Sequence, residues 1–274
     1  MTAGLGEMAK LTLLAWEIGR LPVSLISGAA VAAMLATSSL FAWTEIVLHA
    51  TPITLVTMAA FAFNDLYDRE KDLAAQARKK PIADGRVTVE QGYVFAAVLS
   101  LSALTLAALI ADGGGFDVIL AALLGAGAYS VLARRLPVIK GLATAVLCCA
   151  PLAYGSEVAH VAVAKPIYLF FVTFVAGREL VLDAIHFPGD LRAGIRTLVA
   201  YLSPRISRLV GWATMAASVL MLTLYAHGLA RAGFLAALLS LVVAGWICRR
   251  DEVKGAICTR VTLLLGVMAA ALSL

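Results

Sequence analysis

The chain has 274 residues, of which 62% are hydrophobic and only 14% charged. Soluble domains carry about 25% charged residues. The composition, with a mean hydropathy of +0.93, therefore excludes a soluble globular protein and points to an all-α, polytopic membrane protein. The net charge of +5 fits the positive-inside bias of such proteins better than it fits a nucleic-acid binder.

The first 20 residues, MTAGLGEMAKLTLLAWEIGR, are weakly amphipathic. They lack the basic start and small-residue cleavage site of a signal peptide, so the expectation is an interfacial helix over 1–20. Apolar runs of spanning length then recur at 21–38, 43–63, 90–111, 116–133, 139–155, 164–182, 206–228, 233–248 and 256–274. This predicts a single transmembrane domain over 1–274, a bundle of nine helices around a central cavity. Short turns such as TSSL and ADGGG join the helices on one side. Two long connections, 64–89 and 183–205, lie on the other and hold seven of the 17 acidic residues.

Basic residues set the orientation. With nine spans, Lys165 and Arg231 alone, of the 22 Lys and Arg, fall on the side of the short turns. The N-terminus, the Asp-rich connections and the mouth of the cavity are thus expected to face the cytoplasm, in a bacterial inner membrane. Cys148, Cys149, Cys248 and Cys258 lie in or beside apolar spans without a CxxC pairing. They read as small buried side chains, with neither disulfide nor metal site. Glu45 and His49, four apart near the outer end of the second span, read as an interfacial pair. The long connections echo each other faintly, with DGRVT at 84–88 and GIRT at 194–197.

The second span ends in FNDLYDREKD, Phe63 to Asp72. Steps of four residues advance about 40° around a helix, so Asn64, Asp68 and Asp72 form one polar stripe, with Asp65 and Glu70 off it. Three readings compete: a solvated helix end, a proton or cation path, and a site for Mg²⁺, which prefers hard oxygen ligands. A second cluster, GRELVLDAIHFPGDLRAGIRT at 177–197, ends the sixth span. It carries Arg178, Glu179, Asp183, His186, Asp190, Arg192 and Arg196, and Pro188-Gly189 is expected to interrupt its helix. Two acidic clusters on one membrane face, each followed by basic residues, suggest a polyanion bridged by metal and covered by Arg and Lys.

These segments carry a resemblance. NDLYDREKD fits the NDxxDxxxD motif of the UbiA superfamily of intramembrane prenyltransferases. KKPIADGRVT resembles the Arg-Pro-(Ile/Leu)-x-x-Gly-Arg element that follows it there, with Lys80 in place of Arg. YSVLARRLPVIKG, at 129–141, resembles the Tyr-Ser/Thr-x-x-x-Lys-Arg segment, with Arg134 in place of Lys. The 178–198 stretch resembles the second acidic motif. Counted back from Gly194, that motif's two Asp positions fall on 186 and 190, and position 186 here is His.

The resemblance implies Mg²⁺-dependent transfer of an isoprenyl group from a prenyl diphosphate to an aromatic or other lipophilic acceptor within the bilayer. It implies metal ligands at Asn64, Asp68, Asp72, Asp183 and Asp190, with Asp183 standing in for the missing carboxylate. Lys79, Lys80, Arg134, Arg135, His186 and Arg196 become candidates for contact with the diphosphate. A terpene cyclase on the same scaffold, which needs no acceptor, and a non-catalytic scaffold stay open as alternatives.

Overall fold

The computed structural model describes residues 12–38, 40–74 and 80–273, and leaves the side chain of Arg134 undescribed. The expectations for residues 1–11, for Lys79 and for the Arg134 side chain therefore lie outside the described residues. Among the described residues, a short π-helical turn at Leu14–Ile18 leads into twelve α-helices. They are α1 Leu21–Ala36, α2 Trp43–Tyr67, α3 Arg69–Ala74, α4 Val89–Ile110, α5 Gly113–Arg135 and α6 Lys140–Leu147. The remainder are α7 Ala150–Ala159, α8 Lys165–Arg192, α9 Val199–Leu202, α10 Pro204–Tyr225, α11 Gly228–Cys248 and α12 Glu252–Ala271. Among the described residues there is no strand.

Among the described residues, seven helical segments are long and apolar enough to cross a membrane, taking α6 and α7 together as Lys140–Ala159. The other two expected spans differ for physical reasons. Helix α1 has 16 residues, about 24 Å at 1.5 Å per residue, which is short of a ~30 Å hydrocarbon core. Helix α8 has 28 residues, but Lys165, Arg178, Glu179 and Asp183 interrupt its apolar character. The predicted fifth span is not one rod, because α6 stops at Leu147 and α7 begins at Ala150.

Side-chain size is sorted as a lipid-facing bundle requires. Ala59, Ala62, Ala96, Ala103, Ala107 and Ala237 are fully buried where helices meet. Large side chains such as Leu101, Leu109, Leu124, Leu209 and Leu239 point outward. Lipid tails are as apolar as Leu, so helix association is driven by close packing of small residues. Helices α8 and α10 approach each other closely. A Cβ on Gly177 would sit 2.7 Å from the Gly211 carbonyl oxygen, and one on Gly211 would sit 2.5 Å from that of Gly177. Neither position has room for a side chain.

Two apolar cores hold the halves of the bundle. Phe170 and Phe174 of α8 pack with Phe234 of α11, Met215 and Leu222 of α10 and Val267 of α12. Val31 and Leu35 of α1 pack with Ile53 of α2, Ile119 of α5 and Tyr154 of α7. The chain reverses through capped ends: Thr88 and Gln91 form a capping box on α4, and Asp112, Ser203 and Asp251 cap α5, α10 and α12. These caps satisfy otherwise orphaned N–H groups.

Candidate active site

Helical bonding continues past the end of α2. Asp68 N–H donates to Asn64 O and Asp72 N–H to Asp68 O, each at 2.8 Å. The acidic side chains nevertheless fall into two groups. Asn64 Nδ2 donates to Asp68 Oδ2 at 3.3 Å. Asp72 instead shares an ammonium with Asp65, since Lys80 Nζ lies 2.7 Å from Asp65 Oδ1 and 3.1 Å from Asp72 Oδ2. Asp65, expected off the stripe, is thus part of the cluster. Seven residues fall about 20° short of two full turns, whereas eight overshoot by about 80°, so Asp72 lies closer in angle to Asp65 than to Asn64. Burial pushes the Asp72 carboxyl above its usual range, against the pull of Lys80 and with the push of Asp65 and Asp68.

The loop that delivers Lys80 is pinned at its far end. Arg86 bonds Asp84 Oδ2 and Glu17 Oε2, both at 2.9 Å. That hydrogen bonding holds the exposed Asp84 carboxyl below the usual carboxylate range. Gly85 takes a left-handed φ of 78° in the turn between them, a region that costs a residue with a Cβ. The DGR element is therefore a loop staple that positions its neighbour.

The second acidic segment is a continuous helix. Contrary to the expected break at Pro188-Gly189, α8 runs on to Arg192. It ends only at Gly194, with φ 72°, where Ile195 N–H donates to Asp190 O at 2.9 Å and Gly194 N–H to Leu191 O at 3.1 Å. This paired C-cap fixes Asp190 one turn from the helix end. Asp183 and Asp190, seven apart, share a buried face while His186 is exposed.

Lysines join the segments. Lys71 Nζ lies 4.0 Å from Asp68 Oδ2 and 3.5 Å from Asp190 Oδ1. Lys140, at the first turn of α6, places Nζ 2.6 Å from Asp183 Oδ1. Thus Asp68 and Asp190 meet around Lys71, whereas Asp183 is held by Lys140. Among the described residues no three His, Cys, Asp or Glu converge to ligate one metal. Arg135 and Arg196 are exposed, and no ion pair among the described residues joins them to these carboxylates. Lys71, Lys140 and Asp65 are the residues that reading the sequence overlooked. Only the seven-residue spacing of Asp65 and Asp72 signalled any of them. An apolar cleft of about 400 Å³ opens between α5 and α6, lined in part by Tyr129, Leu132, Leu142 and Val146.

The sequence profile of the UbiA prenyltransferase family matches residues 25–273. The chain belongs to the UbiA prenyltransferase family. The digeranylgeranylglyceryl phosphate synthase of Methanothrix thermoacetophila is 29% identical over 166 residues, 59% of this chain and 60% of that protein. The match thus spans less than two thirds of that relative's length. The fold resembles a UbiA homologue from Aeropyrum pernix K1 in its apo form, with TM-score 0.73, 18% identity and coverage of 93% and 97% of the two chains. It also resembles a UbiA homologue from Archaeoglobus fulgidus bound to DMAPP and Mg²⁺, with TM-score 0.69, 16% identity and coverage of 92% and 98%.

Proposed function

We propose that this membrane protein transfers a prenyl group from an isoprenyl diphosphate to a lipophilic acceptor in a Mg²⁺-dependent reaction. The observation that carries this reading is the meeting of the two acidic segments, Asp68 and Asp190, around Lys71. The structures of the Archaeoglobus fulgidus homologue with DMAPP or GPP and Mg²⁺ support the substrate class.

The residues fit Mg²⁺. The donors are hard oxygens, and Mg²⁺ is usually held by one or two carboxylates, waters and substrate phosphates rather than a closed protein cage. The absence of a three-ligand cluster is in keeping with that habit. Asp190 Oδ2 is buried without a hydrogen bond, so it has acceptor capacity to spare. Asn64, Asp68, Asp72 and Asp190 would hold the ion, which when bound supplies charge neutralisation for the departing diphosphate.

The chain's own groups do the rest. Lys71, Lys80 and Lys140 offer ammonium donors to phosphate oxygens in a half-buried setting, where such charges stabilise a leaving anion strongly. Asp183 fixes Lys140 in that position. His186, exposed beside this face, is a contact for the diphosphate. Arg135 and Arg196 supply positive charge at the approach to the site, and Lys79 and Arg134 stay candidates from the sequence alone. The apolar walls of α5 and α6 exclude water and nucleophiles from the allylic cation, and a carboxylate takes up the proton released by the acceptor. We place the acidic end at the cytoplasmic face of the cell membrane, as the distribution of Lys and Arg requires.

The test is to incubate the purified protein with prenyl diphosphates of several lengths, with Mg²⁺ or with a chelator. Diphosphate release and prenylated product are measured with and without glyceryl phosphate and aromatic acceptors. Mg²⁺-dependent release coupled to an acceptor supports transfer. Release without any acceptor points to a cyclase, and no release under any condition overturns the reading.

A further inference from the structure

Among the described residues, three ammonium groups meet the carboxylates at the acidic end of the bundle, and they are not held alike. Lys80 Nζ lies 2.7 Å from Asp65 Oδ1 and 3.1 Å from Asp72 Oδ2, and Lys140 Nζ lies 2.6 Å from Asp183 Oδ1. These are hydrogen-bond distances. Lys71 Nζ stands 4.0 Å from Asp68 Oδ2 and 3.5 Å from Asp190 Oδ1, both longer than an N–H···O bond. Its hold on these two carboxylates is one of charge. Lys80 pairs within the first acidic segment and Lys140 with the second, whereas Lys71 pairs with a carboxylate of each.

That position is contested. The Lys71 side chain is 19% exposed, that of Asp68 20% and that of Asp190 5%. Two carboxylates facing one another out of bulk water need a cation between them. A lysine ammonium meets that need, and so does a hydrated Mg²⁺, but their like charges keep them from sharing the place. Mg²⁺ takes one or two carboxylates and keeps several waters, so Asp68 and Asp190 suit it once Nζ withdraws. Lysine is built to withdraw. Its charge rides on a flexible four-carbon stem, and here no short hydrogen bond to either carboxylate ties it down. Phosphate oxygens offer that ammonium a charge-assisted bond in exchange for two long contacts.

We propose that Lys71 is a tethered cation that closes the gap between Asp68 and Asp190 to metal until the donor's diphosphate draws its ammonium onto a phosphate oxygen. This rests on the transferase reading and adds an order of events to it. One movement of Lys71 frees two carboxylates for Mg²⁺ and gives the diphosphate a donor. The carboxylates stay neutralised before and after the exchange. Metal without substrate is held weakly, because only the fraction of protein with Lys71 withdrawn can take it.

Mn²⁺ shares the preference of Mg²⁺ for carboxylate and water ligands and is visible by electron paramagnetic resonance. Its binding is measured by that signal on the purified full chain without diphosphate, for the parent, Lys71→Met, Lys71→Gln and Arg69→Gln. Arg69 is exposed on the same short helix, so its replacement controls for the loss of one positive charge. Both Lys71 variants should bind Mn²⁺ about five- to a hundredfold more tightly than the parent, the range of coupling between competing ligands. Arg69→Gln should shift it less than about twofold, as befits an exposed charge. Geranyl diphosphate binding in the presence of a chelator should weaken about tenfold in Lys71→Met, the scale of one charged hydrogen bond. A lysine with a purely structural role would not move the two affinities in opposite directions. Thermal unfolding checks the variants, and if Lys71→Met does not fold, Lys71→Gln carries the comparison. Failure of both to fold would make Lys71 a staple between α3 and α8 and overturn the proposal. So would unchanged or weaker Mn²⁺ binding in a folded Lys71 variant, or an equal gain in Arg69→Gln. If the exchange is found yet no prenyl diphosphate is turned over, the transferase reading falls while the competition between Lys71 and metal stands.

Discussion

Replacing Lys140 by Met is the most direct probe of how the second acidic segment is built. The ammonium lies 2.6 Å from Asp183 Oδ1, and the two side chains are only 19% and 7% exposed. Methionine keeps the length of the stem and removes the charge. Asp183 would then be a buried carboxylate without its cation, and breaking such a pair costs roughly 3–5 kcal/mol. Because the Lys140 end retains some exposure, the low end applies, about 3 kcal/mol. Adding Asp183→Leu removes the orphaned charge, and replacing a whole buried pair by apolar groups is close to neutral. Stability of Lys140→Met, Asp183→Leu and the double variant, measured by equilibrium unfolding in mixed micelles, should therefore be strongly non-additive. The double variant should fold nearly as well as the parent and still fail to release diphosphate, because Lys140 is assigned a phosphate oxygen. A Lys140→Met cost below about 1 kcal/mol, the scale of an exposed pair, or additive losses in the double variant, would refute this reasoning. Full activity in the double variant would remove Lys140 from the chemistry.

Asp68 is partly exposed beside Lys71, so Asp68→Ala should leave folding intact and lower turnover on the order of 10²–10³-fold, the scale of losing one preorganised electrostatic group. Near-parental turnover would make the stripe a solvated helix end. Asp183→Asn should damage turnover more than His186→Ala at saturating Mg²⁺, because Asp183 is buried and paired whereas His186 is exposed; the opposite order would assign the working role to the imidazole. Gly211→Ala would place a Cβ 2.5 Å from the Gly177 carbonyl oxygen and should destabilise by about 1–3 kcal/mol through overpacking, with a thermal melt unchanged from the parent refuting the tight α8–α10 crossing. In a background without the native cysteines, Glu90→Cys should resist impermeant thiol reagents in intact cells and Ala162→Cys should react, and the reverse pattern would invert the proposed orientation.

The sequence by itself determined the class of fold and the identity of the two chemical segments. Apolar runs interrupted by charge are set by the cost of putting charge in hydrocarbon, a local property of each segment. The seven spanning segments and the ends of α2 and α8 were legible for that reason. Asn64, Asp68 and Asp72 stood out in the chain because steps of four residues put them on one side at the end of an apolar helix. The tertiary structure decided which charge neutralises which. Lys71 and Lys140 look like ordinary solvated lysines in the chain, and only the meeting of α3 and α6 with α8 brings them onto Asp190 and Asp183. The continuity of α8 through Pro188 was likewise undecidable from local propensity, which predicts a break there. The helix runs on because packing against α10 and the cap at Gly194 outweigh one lost backbone bond.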